Sequence, residues 1–155
     1  MTYREVQGNL LQMPPNYVVA HNIDAGEVAL GAGVALALCQ KFPNLRACCK
    51  EYAENNEHKV GLTYRYTNGI HVVYNMYTKP HVYFNAIRGM TPQEYLTNQK
   101  NCLIDLRNQM LHHNETQLAI PRIACGLDRC QWHDIEQLLH EVFDETDIEI
   151  VVCYL

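Results

Sequence analysis

The pattern of hydrophobic and polar positions predicts strands that alternate with helices. Short runs rich in β-branched and aromatic residues are typical of buried strands, and apolar positions that recur every three or four residues are typical of amphipathic helices. The predicted strands are Tyr17–His21, Val60–Tyr66, Ile70–Tyr77, Leu118–Ala124 and Ile148–Tyr154. The predicted helices are Val34–Lys41, Leu45–Asn55, a long helix from the cap at Thr91 through Met110, and Gln131–Asp144.

Two local signals support this order of elements. Asn68-Gly69, between the second and third strands, is a strong hairpin signal. Thr91, followed by Pro92 and then Glu94, is the capping box that begins a helix. Strands alternating with helices, together with one antiparallel hairpin, predict an α/β sandwich around a mixed sheet.

Composition and charge narrow the class of protein. The chain has 155 residues, 48% of them hydrophobic, which suits one globular domain over residues 1–155. The formal net charge of -5 lacks the basic footprint of a general nucleic-acid binder. The longest run without a polar side chain, Val28–Cys39, is shorter than the roughly 18 residues of a membrane span, and the N-terminus lacks the layout of a signal peptide. We therefore expect a soluble, monomeric, cytoplasmic protein (nuclear is the eukaryotic alternative) with no membrane partner.

The cysteines do not predict disulfides or a metal site. Their number, seven, is odd, and Cys48 and Cys49 are adjacent, so reduced thiols are expected. No Cys-x-x-Cys motif and no Cys/His set at zinc-finger spacing is present, so no bound metal is predicted.

Two glycine-bearing turns stand where strands lead into helices. Gly31-Ala32-Gly33 could expose backbone N–H groups to a phosphate or could simply pack a helix on the sheet, and the motif leaves both interpretations open. In the turn around Gly126, Asp128 could be a general acid or base. Because a helix begins near Gln131, charge complementation of that helix is the more common role for such an aspartate.

Three further positions could carry chemistry. Lys79 ends an apolar strand, where desolvation would make its amine nucleophilic, although a solvated lysine is commoner at such a place. Cys125 could be a nucleophile, but a structural thiol is the commoner case. His21 and Asn22, at the end of a predicted strand, together with Asp24, could bind a ribose or satisfy the backbone of a turn.

Six segments in order along the chain resemble the macro domain family, and within it the terminal ADP-ribose protein glycohydrolase branch. The matching segments are Gly8-Asn9-Leu10-Leu11, Ala20-His21-Asn22, Leu30-Gly31-Ala32-Gly33-Val34-Ala35, Tyr77-Thr78-Lys79, Pro121-Arg122-Ile123-Ala124-Cys125-Gly126-Leu127-Asp128-Arg129-Cys130-Gln131-Trp132, and the closing run Val142-Phe143-Asp144-Glu145-Thr146-Asp147-Ile148, which ends at Tyr154-Leu155. The Gly-Leu-Asp-Arg-x-Gln-Trp string is the specific part of this match. The resemblance implies a three-layer α/β/α fold with a mixed central sheet and ADP-ribose in a cleft across the strand ends.

The resemblance also implies roles for individual residues. Lys79 and Asp128 are implied as the catalytic pair of an ADP-ribosyl hydrolase acting on ADP-ribosylated Glu or Asp side chains or on O-acyl-ADP-ribose, with no cofactor. The residues implied to contact ADP-ribose are Asn9, Leu10, His21, Asn22, Gly31, Ala32, Gly33, Val34, Cys125, Gly126, Leu127, Tyr154 and Leu155. Three alternative functions remain open: a DNA ADP-ribosyl hydrolase of the antitoxin type, a non-catalytic ADP-ribose reader, and an ADP-ribose-1″-phosphate phosphatase.

Asn9 and Pro80 depart from the common macro domain pattern. Many macro domains have an aspartate at the position of Asn9 that binds the adenine amine, so selectivity for the base is expected to be relaxed here. Pro80 follows Lys79 in place of another basic residue.

Overall fold

The computed structural model describes residues 1–26, 28, 30–31, 33–80, 90–126 and 128–155. Its six strands are β1 (Thr2–Gln7), β2 (Val18–Asp24), β3 (Thr63–Thr67), β4 (Val72–Lys79), β5 (Gln117–Pro121) and β6 (Glu149–Tyr154). Its four helices are α1 (Gly33–Lys41), α2 (Leu45–Glu54), α3 (Pro92–His112) and α4 (Trp132–Phe143), and a short 3-10 helix spans Leu10–Gln12.

The six strands form one mixed sheet in the order β1-β6-β5-β2-β4-β3. All neighbouring pairs are parallel except β3 and β4, the hairpin that Asn68-Gly69 predicted. Five strands therefore end at the same edge of the sheet. The predicted mixed sheet and its antiparallel hairpin are confirmed.

Helices cover both faces of the sheet. Neighbouring residues of a strand point to opposite sides, so the apolar strands present residues to be buried on each face. On one face, α3 and α4 bury residues such as Leu103 and Leu139 against Ala20 and Met76. On the other face, α1 and α2 bury a second cluster that includes Leu38, against Val73 of the sheet. The predicted three-layer α/β/α arrangement is therefore confirmed.

Several boundaries differ from those that the sequence predicts. Strand β1 was not predicted, because it is an edge strand with an exposed side and lacks a continuous apolar run. Strand β2 continues through His21 and Asn22 to Asp24, whose polar side chains are bonded within the fold. His21 and Asn22 therefore lie in a strand and not in a turn, which was one of the two predicted roles. Only Asp24, the last residue of the strand, bonds to turn backbone, by accepting from the N–H of Val28.

Strands β3 and β5 are shorter than predicted. Strand β3 begins at Thr63 because Gly61 adopts a left-handed conformation (φ 92°) in the preceding turn. Strand β5 ends at Pro121, and Ala124 lies in a loop with φ 67°. The residues after Pro121 are therefore free to form the loop that carries Asp128.

The structure adds two findings about the chain as a whole. All seven cysteines have free thiols, as predicted. Among the residues that the structure describes, no helix is both long and apolar enough to cross a membrane.

Candidate functional site

The predicted site residues gather at the edge of the sheet where the parallel strands end. Asn9 follows β1, Gly33 lies beyond β2, Lys79 ends β4, Asp128 follows β5 and Tyr154 ends β6. In α/β sheets this carboxyl edge is the usual place for a ligand. Three strand spacings separate β6 from β4, so this stretch of the edge is about 14 Å long.

A cleft of about 340 Å³ opens at this edge. It is lined by seven of the predicted residues, namely His21, Asn22, Gly33, Val34, Lys79, Gly126 and Asp128. The remaining lining is apolar and consists of Ala35, Pro121, Ile123 and Ala124. The cleft therefore combines an apolar wall with a few convergent polar groups, which is the usual make-up of a small-molecule site.

Lys79 and Asp128 meet in the cleft, although 48 residues separate them along the chain. The Lys79 Nζ atom lies 2.5 Å from Oδ1 of Asp128, and each side chain is only 10% exposed. Of the two roles that the sequence left open for Lys79, the solvated one is wrong. The hydrogen bonds of the Asp128 carboxylate go to Lys79 and Tyr95.

Tyr95 was not predicted as a site residue. Its hydroxyl donates to Oδ2 of Asp128 at 2.5 Å, and the side chain is fully buried in the first turns of α3. Burial and the negative charge of Asp128 raise the pKa of Tyr95 well above its usual value, so the hydroxyl stays protonated. The sequence does contain one indication of its burial, because the helical spacing of Tyr95, Gln99 and Cys102 places all three on the buried face of α3.

A buried polar network continues from Tyr95 into β2. Nδ2 of Asn22 donates to Oε1 of Gln99 at 2.6 Å and to the Tyr95 hydroxyl at 3.3 Å. Oδ1 of Asn22 is buried and has no hydrogen-bond partner among the described residues. Asn22 lines the cleft, and because its amide nitrogen is already used, Oδ1 is the atom left to accept a hydrogen bond.

His21 presents a second acceptor beside it. Nε2 of His21 lies 2.6 Å from Oδ1 of Asn75, whose own amide nitrogen donates to two backbone carbonyls. Nε2 must therefore carry the proton. Burial lowers the pKa of His21 to about 4, so the ring is neutral, and its buried Nδ1 atom has no partner in the described part of the chain. Nδ1 is thus an acceptor that can receive a hydroxyl donor from a ligand.

The two glycine-bearing turns border the cleft, one beyond β2 and the other beyond the neighbouring strand β5. Gly33 has φ 57°, a left-handed conformation that favours glycine, and it begins α1. A side chain added at Gly126 would meet no atom within 4 Å, so the backbone there is open to a ligand. Ala32 and Leu127, which were predicted to bind the same ligand, lie outside the described residues. The N-terminal end of a helix favours an anion at this position.

Cys125 lies beside this turn without the properties of a nucleophile. Its side chain is half-buried, and burial raises the pKa of its thiol. A thiol that remains protonated is a poor nucleophile, so the structural role is favoured. Among the described residues, no group of three His, Cys, Asp or Glu side chains is placed to hold a metal ion.

The residues predicted near the adenine lie at the far end of the edge. The side chain of Asn9 caps the 3-10 helix by accepting from the N–H of Leu11, and Leu10 is buried in a small core cluster. Tyr154 and Leu155 are exposed, and the guanidinium of Arg122 lies 4.7 Å from the centre of the Tyr154 ring. An exposed aromatic ring paired with a guanidinium therefore lies at this end.

A three-layer fold with a ligand cleft at the carboxyl edge, bordered by two glycine turns, defines a macro domain. The chain belongs to this family, in the terminal ADP-ribose glycohydrolase branch. It is 31% identical over 147 residues to the human protein named ADP-ribose glycohydrolase OARD1, a match that covers 95% of this chain and 88% of the human one. No protein-family model matches the sequence.

Solved structures agree with this fold. The macrodomain of Mycobacterium tuberculosis DarG has a TM-score of 0.82 at 21% identity, covering 99% of this chain and 98% of that one. Thermosipho africanus DarTG, solved in complex with ADP-ribose, has a TM-score of 0.78 at 16% identity and covers 98% of this chain and 41% of that one. At these identities the likeness establishes the fold.

Proposed function

We propose that this protein binds ADP-ribose along the carboxyl edge and releases it from acyl-linked acceptors, namely ADP-ribosylated Glu or Asp side chains and O-acyl-ADP-ribose. The observation that carries the proposal is the buried contact between Lys79 and Asp128 inside the cleft. The name of the human relative, an ADP-ribose glycohydrolase, and the ADP-ribose in the Thermosipho structure support the same ligand class.

The chemistry of the edge suggests how the ligand would lie. The adenine would lie near Asn9, Leu10, Tyr154 and Leu155. The diphosphate would lie between the start of α1 and the turn around Gly126, contacting Gly31, Ala32, Gly33, Val34, Cys125, Gly126 and Leu127. The distal ribose hydroxyls would donate to the vacant acceptors of His21 and Asn22, which bear no proton to give. This order would place the reacting sugar carbon beside Lys79.

In the first step, the neutral amine of Lys79 attacks the anomeric carbon of the distal ribose. Asp128 takes the ammonium proton through Oδ1, the atom that faces Nζ. A carbon–nitrogen bond forms, the carbon–oxygen bond to the acyl group breaks, and the acceptor leaves as a carboxylate. Water then attacks the same carbon, the carbon–nitrogen bond breaks, and Asp128 returns a proton to the departing amine. The proton that the attacking water loses passes to solvent.

In an alternative mechanism, Asp128 acts as the base on water or on a ribose hydroxyl, and Lys79 only stabilises charge. The two mechanisms differ in one observable. Attack by the amine adds the mass of one ADP-ribosyl group to the chain during turnover, and intact-mass spectrometry after a rapid quench would locate it on Lys79. Activity without this adduct would support the water mechanism.

The function is tested by incubating the protein with a panel of ADP-ribosylated substrates. We expect release of ADP-ribose from glutamate-modified protein, with Lys79→Ala and Asp128→Ala slower by about 100-fold or more. Lys100→Ala and Glu141→Ala provide the matched control, because that ion pair spans a similar 3.0 Å but is exposed on the surface. Both control variants should retain wild-type rates.

The panel also separates the alternatives. Because removing one partner of a buried ion pair can cost about 3–5 kcal/mol of stability, ADP-ribose binding by calorimetry must show that each variant is folded. Binding with no release from any substrate would make the protein a reader. Preferred release from modified DNA, or of phosphate from ADP-ribose-1″-phosphate, would assign the function to those classes.

A further inference from the structure

Tyr95 has a position that the proposed function does not yet use. It lies in the first turns of α3, which begins at the capped residue Thr91. Further along this helix, the Asn98 amide donates to the backbone carbonyl of Thr78 on β4 at 3.1 Å. The backbone carbonyl of Cys102 accepts from the hydroxyl of Thr63 on β3 at 2.7 Å. These bonds attach α3 to the sheet, so the position of the Tyr95 hydroxyl is fixed by rigid elements.

The direction of the Tyr95 hydrogen bond follows from its neighbours. The amide nitrogen of Asn22 points a proton at the Tyr95 oxygen, which therefore accepts there. The raised pKa of Tyr95 keeps the phenol proton in place, and this proton is donated to Oδ2 of Asp128.

Asp128, in contrast, is carried by a loop. The loop after β5 contains two non-glycine residues in left-handed conformations, Ala124 (φ 67°) and Arg129 (φ 58°). Without a second attachment, the Asp128 carboxylate could rotate or follow the loop away from Lys79. The Tyr95 hydroxyl supplies that attachment from the opposite side, so that one carboxylate oxygen is held by α3 and the other faces the lysine.

We infer that Tyr95 is a positioning residue that presents Oδ1 of Asp128 to Lys79 by holding Oδ2. It acts through Asp128 and does not itself react. This inference rests on the proposed function, in which Oδ1 takes the proton of the lysine. It also predicts a property that can be measured without activity, namely that the loop carrying Asp128 is tied to α3.

The matched pair of variants is Tyr95→Phe and Tyr74→Phe. Tyr74 is also fully buried, and its hydroxyl also donates to a carboxylate, that of Glu115, but outside the cleft. Each substitution removes only the hydroxyl oxygen, and with it the tyrosine–carboxylate hydrogen bond and one bond that the hydroxyl accepts, from Asn22 at Tyr95 and from Arg65 at Tyr74. A general loss of stability should therefore affect both variants, whereas a positioning effect should appear only in Tyr95→Phe.

We expect Tyr95→Phe to lower kcat about 10- to 100-fold, the size of a lost hydrogen bond to a charged group, while KM and ADP-ribose affinity stay near wild type. Tyr74→Phe should leave both kcat and KM near wild type, because the Tyr74 hydroxyl lies outside the cleft.

Hydrogen–deuterium exchange supplies the readout that does not depend on activity. The amides of Arg129 and Cys130 are bonded within the loop, to the carbonyls of Gly126 and Ala124, and should exchange faster in Tyr95→Phe but not in Tyr74→Phe. An unchanged kcat in Tyr95→Phe, or equal effects of the two variants on kcat, would overturn the inference while leaving the proposed function intact. If wild type releases no ADP-ribose from any substrate, the proposed function fails. If, in addition, the Arg129 and Cys130 amides exchange equally fast in wild type and Tyr95→Phe, the attachment of this loop to α3 through Tyr95 is refuted as well.

Discussion

The buried, neutral state of His21 predicts a specific loss of stability in acid. Burial lowers the pKa of this ring from 6.5 to about 4, against the weaker opposing effect of its hydrogen bond to Asn75. Between these two values the unfolded chain binds a proton that the folded chain does not. The contribution of His21 to the free energy of unfolding is therefore fully present above pH 6.5 and is lost as the pH falls toward about 4.

The size of this effect follows from the two pKa values. Each pH unit in the interval costs about 1.36 kcal/mol, so the whole interval contributes about 3 kcal/mol. His21→Gln removes the titrating group, and the glutamine amide can still donate to Oδ1 of Asn75 from nearly the same position. We therefore expect the free energy of unfolding of wild type to fall more steeply with acid than that of the variant.

Urea denaturation at a series of pH values between about 7 and 4 measures this difference. The carboxylates titrate in both proteins, so their contribution cancels in the comparison. His140→Gln is the control for a histidine outside the cleft, because its side chain is about half exposed and pairs with Asp144 on the surface. Parallel curves for wild type and His21→Gln would refute the argument that His21 is neutral, and with it the argument that its Nδ1 atom accepts from a ligand.

Two further predictions test the cleft and the core separately. Gly126→Ala should leave the melting temperature nearly unchanged, because a Cβ atom there meets no atom within 4 Å, but should weaken ADP-ribose binding in calorimetry by about tenfold or more. Unchanged affinity would mean that this turn does not face the ligand. Leu106→Ala, at a fully buried position under the sheet, should lower the free energy of unfolding by about 2–5 kcal/mol in urea. A loss well below 1 kcal/mol would contradict the packing of α3.

The layout of the fold was largely predictable because its helices and inner strands have clear periodic or continuous apolar patterns. The capping box at Thr91 and the Asn68-Gly69 turn marked their elements correctly. Strand β1 was missed for a physical reason. An edge strand needs only one buried side, so its sequence lacks the apolar run that identified β6.

The site was predictable only in part. The resemblance named Lys79 and Asp128, but only the fold brings the two side chains together, since they come from different elements. Tyr95 and Gln99 were not predicted as site residues because a buried tyrosine or glutamine on a helix face looks like ordinary core. Their importance depends on contacts with Asn22 and Asp128 that no local pattern encodes.

The central claim is that Lys79 and Asp128 work as one unit on the bound sugar. A double-mutant cycle on kcat/KM for ADP-ribose release from glutamate-modified protein tests this most directly, using Lys79→Ala, Asp128→Ala and the double variant. Residues that act as a unit are strongly non-additive, so we predict that the double variant is no slower than the slower single variant. Multiplying effects of the two substitutions, or a single variant with wild-type kcat/KM, would contradict the account.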